Sequence, residues 1–132
     1  MADRDLLRTT AAALLTAGFI VALDKQTEAQ EKNEGQIAYN NACRTCHTTD
    51  EGDNRLGPNL HNIIGRKAGA AEGYNYSSAM KNAGFTWDEA KLDAFIANPD
   101  AVVSGNNMKP FSGITDEAER KKIVDYLASE GK

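Results

Sequence analysis

A chain of 132 residues with a formal charge of −4 and 26% charged side chains is long enough for one small globular domain and a short leader. Its lysines and arginines are scattered, which excludes the basic tract of a nucleic-acid binder. Neither internal repeats nor low-complexity stretches interrupt it.

The first segment in chain order is 1–29. Arg4 and Arg8 precede an apolar run over 11–23, and the polar stretch 24–29 follows, which is the layout of a secretory signal. Thr27 and Ala29 offer a cleavage site after Ala29, leaving Gln30 as the first residue of a domain over 30–132. Asp3 and Asp5 offset the arginine charges, and Glu28 interrupts the small residues of the site. The competing expectation is an uncleaved membrane anchor with 24–34 as a polar tether. Its apolar run falls short of the roughly 20 residues that a span requires.

Residues 34–45 are predicted to be helical, with Asn33 as a candidate cap and Gly35, Tyr39 and Cys43 recurring every four positions on one face. The helix delivers the pentapeptide Cys43-Arg44-Thr45-Cys46-His47 at its C-terminal end. Two thiols at this spacing with an imidazole directly after them fit covalent attachment of haem. Each thiol adds across one vinyl group, and the histidine ligates the iron. Other readings compete. Cysteine is often a small core hydrophobe. A thioredoxin-like pair belongs at a helix N-terminus in a βαβ pattern, yet no strand alternation flanks Cys43. Zinc wants four ligands, but only His61 remains elsewhere, and His47 adjoins Cys46 too closely to join both thiolates on one tetrahedral ion.

Glycines, asparagines and Pro58 dominate 48–73, which is predicted to be mostly ordered loop. A short helix is predicted over 77–82. Thr86-Trp87-Asp88-Glu89 has capping-box spacing and opens a helix carrying Leu92, Phe95 and Ile96, which Asn98-Pro99 ends. A last helix is predicted over 116–129, capped by Thr115, with acidic residues in its first turn and Ile123, Tyr126 and Leu127 as its apolar stripe. These stripes read as core packing. Gly35 and Tyr126 predict a close crossing of the first and last helices, because glycine lets a large ring approach the backbone. With no strand pattern, the expected fold class is all-α with long loops.

A six-coordinate haem needs a second axial donor. Met1, Met80, Met108 and His61 are the candidates. Met108 stands apart because it lies in Ser104-Gly105-Asn106-Asn107-Met108-Lys109-Pro110-Phe111-Ser112-Gly113, a run of turn residues that could fold over the open haem face. Methionine is by default a core filler, so residue type alone leaves the choice open.

With the pentapeptide, Gly57-Pro58-Asn59-Leu60, Gly65-Arg66-Lys67-Ala68-Gly69, Tyr76-Ser77-Ser78-Ala79, Trp87, Asn98-Pro99 and Gly105-Asn106-Asn107-Met108 in this order, the chain resembles the class I cytochromes c. More narrowly, it is similar to the branch shared by mitochondria and their bacterial relatives, over roughly 35–127. The resemblance implies the cytochrome c fold, three to five helices wrapped around one haem c bound through Cys43 and Cys46. It implies His47 and Met108 as the axial metal ligands and places the Pro58 carbonyl beside the proximal imidazole. Such an acceptor fixes the histidine tautomer and strengthens it as a donor. Arg66, Tyr76 and Trp87 match residues that partner the buried haem propionates, which would be costly to bury alone.

Three departures accompany these matches. Phe95 stands where close relatives often have a tyrosine whose hydroxyl approaches the methionine sulfur. Lys109-Pro110 makes the stretch after Met108 one residue longer than in mitochondrial members. Asp100 and Ala101 occupy places where lysines are usual. The implied function is that of a monomeric one-electron carrier, not an enzyme, in the bacterial periplasm, free or tethered to the inner membrane. It would receive electrons from a cytochrome bc-type complex and pass them to a terminal oxidase or other acceptor. Docking would be transient, through a mixed-charge surface around Arg44, Asn107 and Phe111. A small haem peroxidase, a gas sensor or a haem subunit of a larger oxidoreductase is the alternative.

Overall fold

The computed structural model describes residues 17–130, with side chains from residue 24 onward. Met1 and the first sixteen residues of the expected leader lie outside the described residues. The chain divides into two units, Met1–Gln30 and Glu31–Lys132. Among the described residues five helices follow one another: α1 (Ala17–Ala42), α2 (Ser78–Lys81), α3 (Glu89–Ala97), α4 (Pro99–Val102) and α5 (Glu117–Ser129). Among the described residues there is no strand, only an isolated antiparallel bridge between Lys67 and Thr86. The all-α expectation holds. No helix among the described residues is long and apolar enough to cross a membrane.

Helix α1 begins well before the predicted residue 34 and runs through Asn33, which caps nothing. Thr27-Glu28-Ala29-Gln30-Glu31-Lys32 is dominated by good helix formers, so no stop signal separates the expected tether from the helix. At the other end, Cys43 and Arg44 both donate to the Tyr39 carbonyl, and the amides of Cys46 and His47 both donate to the Cys43 carbonyl. The helix thereby tightens into turns across the pentapeptide, instead of continuing to residue 45.

Within the second unit, α1 crosses α5 at Gly35. A Cβ there would lie 2.7 Å from the Lys122 carbonyl oxygen and 2.8 Å from Tyr126 Cβ. Tyr39 and Tyr126 pack with ring centroids 5.3 Å apart, and the pairs Lys32–Glu130 and Lys122–Glu34 flank the crossing. Ile123 and Leu127 of α5 are fully buried in the core, to which α3 adds Leu92, Phe95 and Ile96. Arg120 joins α5 to α3 through Asp93 at 2.8 Å.

Two caps differ from expectation. Thr86 does not cap α3, because its segment is engaged elsewhere: Trp87 donates to the Arg66 carbonyl, and Lys67 bridges Thr86. The helix starts two residues later, with the Asp88 carboxylate accepting from the Lys91 amide at 2.6 Å. On α5 the cap is Asp116, which accepts from Ala118 and Glu119, while the Thr115 carbonyl accepts from Arg120. A carboxylate also complements the helix dipole, as a hydroxyl cannot. Asn98-Pro99 ends α3 as expected but also starts α4, with Asn98 accepting from the Ala101 amide and Pro99 in the first turn.

Candidate haem site

A cavity of about 370 Å³ lies inside the second unit. All eight site residues predicted from the sequence line it: Cys43, Cys46, His47, Pro58, Arg66, Tyr76, Trp87 and Met108. Leu60, Ile63, Met80, Leu92, Phe95, Ile96 and Leu127 complete a mostly apolar wall.

His47 is 6% exposed, and its Nδ1 donates to the Pro58 carbonyl at 2.7 Å. With the proton held on Nδ1, Nε2 keeps a free lone pair. Burial holds the imidazole pKa below its ordinary value; the bond to Pro58 opposes this, and the charge of Arg66 adds to it. A neutral ring is the form that binds metal. The turn that positions it depends on Gly57, where a Cβ would overlap the imidazole. The Gly57 amide donates to the Cys46 carbonyl at 2.8 Å, tying that turn back to the pentapeptide.

The two cysteines form no disulfide. Burial, then the neighbouring Cys46, then Glu119, push Cys43 up to about 12. A thioredoxin-type nucleophile requires the opposite shift. No group of three or more histidines, cysteines or carboxylates among the described residues could hold a metal ion by itself, which also disfavours the zinc reading.

Arg66 is half-buried. Its Nη1 donates to Asn59 Oδ1 at 3.2 Å and to the His61 carbonyl at 3.0 Å, and its Nη2 to the Asn59 carbonyl at 2.6 Å. These partners are neutral, and no ion pair among the described residues involves Arg66. Burial lowers its pKa, and only Tyr76 opposes the shift. The Tyr76 hydroxyl accepts from the Ala71 amide, and burial raises its pKa. Trp87 packs edge-on against both Phe85 and Phe95. This wall therefore presents a positive charge without an anionic partner beside phenol and indole rings, a fitting set for buried carboxylates.

Of the axial candidates among the described residues, Met80 and Met108 line the cavity, and His61 does not. The ring nitrogens of His61 are engaged by the Thr49 carbonyl and the Asn62 amide. Met80 is buried on α2, whereas Met108 is half-buried in the loop between α4 and α5. The Met108 amide donates to Asn106 Oδ1 at 2.9 Å. Sequence reasoning had not singled out Asn106, Asn59 or Gly57 for these supporting roles. Gly57 and Asn59 were visible only as parts of the Gly-Pro-Asn-Leu string.

The family described as cytochrome c matches residues 33–130. This chain belongs to the cytochrome c family. Cytochrome c2 of Rhodomicrobium vannielii is 44% identical to it over 92 residues, covering 67% of this chain and 70% of the relative. Cytochrome c-554 of Methylosinus trichosporium is 39% identical over 117 residues, covering 88% and 87%. In structure, the chain is similar to cytochrome cH from Methylobacterium extorquens, with a TM-score of 0.67 and 37% identity over 74% of this chain and 97% of the other. As a cytochrome c with one Cys-x-x-Cys-His motif, the protein binds one covalent haem c and is an electron carrier, not an enzyme. The cavity fits that group in its apolar wall, its paired thiols, its anchored imidazole and its unneutralised arginine.

Proposed function

We propose that this cytochrome c carries single electrons with His47 and Met108 as axial ligands, working in the periplasm between a cytochrome bc-type complex and a terminal oxidase or other acceptor. The observation that carries the reading is the pair of donors from opposite halves of the chain that line one cavity. Each is held by a hydrogen bond from its own loop: His47 by Pro58, and the backbone of Met108 by Asn106. When bound, the haem supplies an iron that alternates between the ferrous and ferric states. The soft thioether of Met108 favours the ferrous state and raises the potential. Leu92, Phe95, Ile96 and Leu127 exclude water, and their low-dielectric wall penalises the extra ferric charge in the same direction. Arg66, Tyr76 and Trp87 hold the propionates, with Arg66 supplying the counter-charge.

The docking surface is the cavity rim, where Leu56, 77% exposed, joins Asn107 and Phe111, with Arg44 nearby in sequence to the thioether cysteines. A surface of mixed charge favours weak, transient encounters whose rate depends modestly on salt. Residues 1–29 serve as an export signal cleaved after Ala29, and N-terminal sequencing that returns an intact Met1 in a membrane fraction would make them an anchor instead.

The ligand pair is tested on the oxidised protein by its far-red iron–methionine charge-transfer band. Met108→Ala is expected to abolish the band, and Met80→Leu to leave it. The reverse result would reassign the ligand.

A further inference from the structure

We propose that Asp100 is a positioning residue for the distal ligand: from α4 its carboxylate holds the segment around Met108 in the conformation that presents the thioether to the haem. The inference rests on Met108 being the sixth ligand.

The geometry is a relay with two branches. On the first, Asn106 Nδ2 donates to Asp100 Oδ1 at 2.8 Å and to the Val103 carbonyl at 2.9 Å. Both acceptors lie at one end of the amide, which sets its orientation, so Oδ1 faces the other way and receives the Met108 N–H at 2.9 Å. On the second, Lys109 Nζ donates to Asp100 Oδ1 at 2.7 Å and Oδ2 at 2.6 Å. One carboxylate thereby grips the residue two places before Met108 and the residue directly after it.

The base of the relay is firm. Asn98 caps α4, Pro99 is among the most buried side chains of the molecule, and Val103 is buried. Asp100 Oδ1 accepts from both Asn106 and Lys109, and Oδ2 accepts from Lys109 as well, so the carboxylate serves both branches at once. Asp100 lies in the first turn of α4 and Lys109 directly follows Met108, so their pair ties the loop to the helix in space.

The branches differ in weight. Asn106 is 4% exposed and its bond to the Val103 carbonyl is buried, while its bonds with Asp100 and Met108 are part-buried. Lys109 and Asp100 are more than half exposed, at 52% and 60%, and an ion pair in water contributes little. The Asn106 branch therefore does most of the positioning.

The test uses the oxidised holoprotein with imidazole as a competing iron ligand, which binds only when the methionine leaves. Asp100→Ala is expected to speed imidazole binding about fivefold and to weaken the far-red band, with helical content unchanged. Asn106→Ala, which breaks the relay one bond further on, is expected to match it. Asp100→Glu should recover part of the band, and Lys109→Ala should change the rate by less than about twofold. A wild-type band together with an unchanged imidazole rate in Asp100→Ala overturns its positioning role, whatever Asn106→Ala does, while leaving Met108 as ligand. No band in the wild type overturns the ligand assignment itself, and the positioning role with it.

Discussion

Gly57 lies against the His47 imidazole so closely that a single added methyl group would overlap the ring. The turn that carries Gly57 also carries Pro58, whose carbonyl holds Nδ1 of the same histidine. One short segment therefore both packs the His47 ring and orients it. Gly57→Ala is expected to destabilise the protein by about 1–3 kcal/mol, the usual range for overpacking, and to lower the yield of covalently attached haem. Urea unfolding midpoints and haem content per purified chain check both effects.

The Gly35 crossing sets two effects against each other. Alanine is about 1 kcal/mol better than glycine inside a helix, but the new methyl would press on the Lys122 carbonyl and Tyr126 Cβ, neither of which is the far end of a flexible chain. The steric cost prevails. Gly35→Ala is expected to lose about 1–2 kcal/mol of stability in urea unfolding. A gain would mean that α1 and α5 can move apart freely.

Phe95 lines the cavity with Met108 and packs edge-on against Trp87, 5.1 Å between centroids. Phe95→Tyr introduces a hydroxyl donor. Donation to the Met108 sulfur withdraws density from it and favours ferrous iron, so the midpoint potential is expected to rise by about 20–60 mV, a typical net hydrogen bond converted at 59 mV per tenfold. A redox titration that finds an unchanged or lower potential would show that the hydroxyl points elsewhere.

Tyr39 buries its hydroxyl without a hydrogen-bond partner among the described residues. Burial first, with the phenol of Tyr126 adding to it, raises its pKa well above the ordinary 10.0. The sign follows directly: the unfolded tyrosine ionises near its ordinary value while the folded one resists, so stability is lost as pH climbs above about 10. Tyr39→Phe is expected to be neutral or stabilising by up to about 1 kcal/mol at pH 7, and to flatten the alkaline loss. Thermal melts from pH 7 to 11 measure both.

The parts legible in the sequence are those where chemistry or periodicity is local. The pentapeptide states its chemistry through spacing alone, and the stripe of Ile123, Tyr126 and Leu127 fixes the buried face of α5. The Gly35–Tyr126 crossing could be read because glycine beside a large ring has one obvious use. Features that depend on distant pairing were not legible. Thr86-Trp87-Asp88-Glu89 looks like a box capped by threonine until the backbone of 86–87 is seen engaged with 66–67, which hands the cap to Asp88. Asp100 and Lys109 looked like two unrelated departures, because the turn at Gly105 that brings them together leaves no trace in periodicity. Similarly, Arg66 could be matched to a family position, but its neutral partners on Asn59 and His61 could not be read from type or spacing.

The crossing of α1 and α5 also has a kinetic side. Its partners stand near opposite ends of the domain, so forming it closes nearly the whole of the second unit into one loop. Loop-closure entropy makes such a contact expensive before it is made, and a fold completed by it searches more slowly than one built from neighbours in sequence. A substitution at Gly35 is therefore expected to slow the search for the native state as well as lower its final stability. Chains delayed in that search spend longer with the apolar face of α5 open to aggregation.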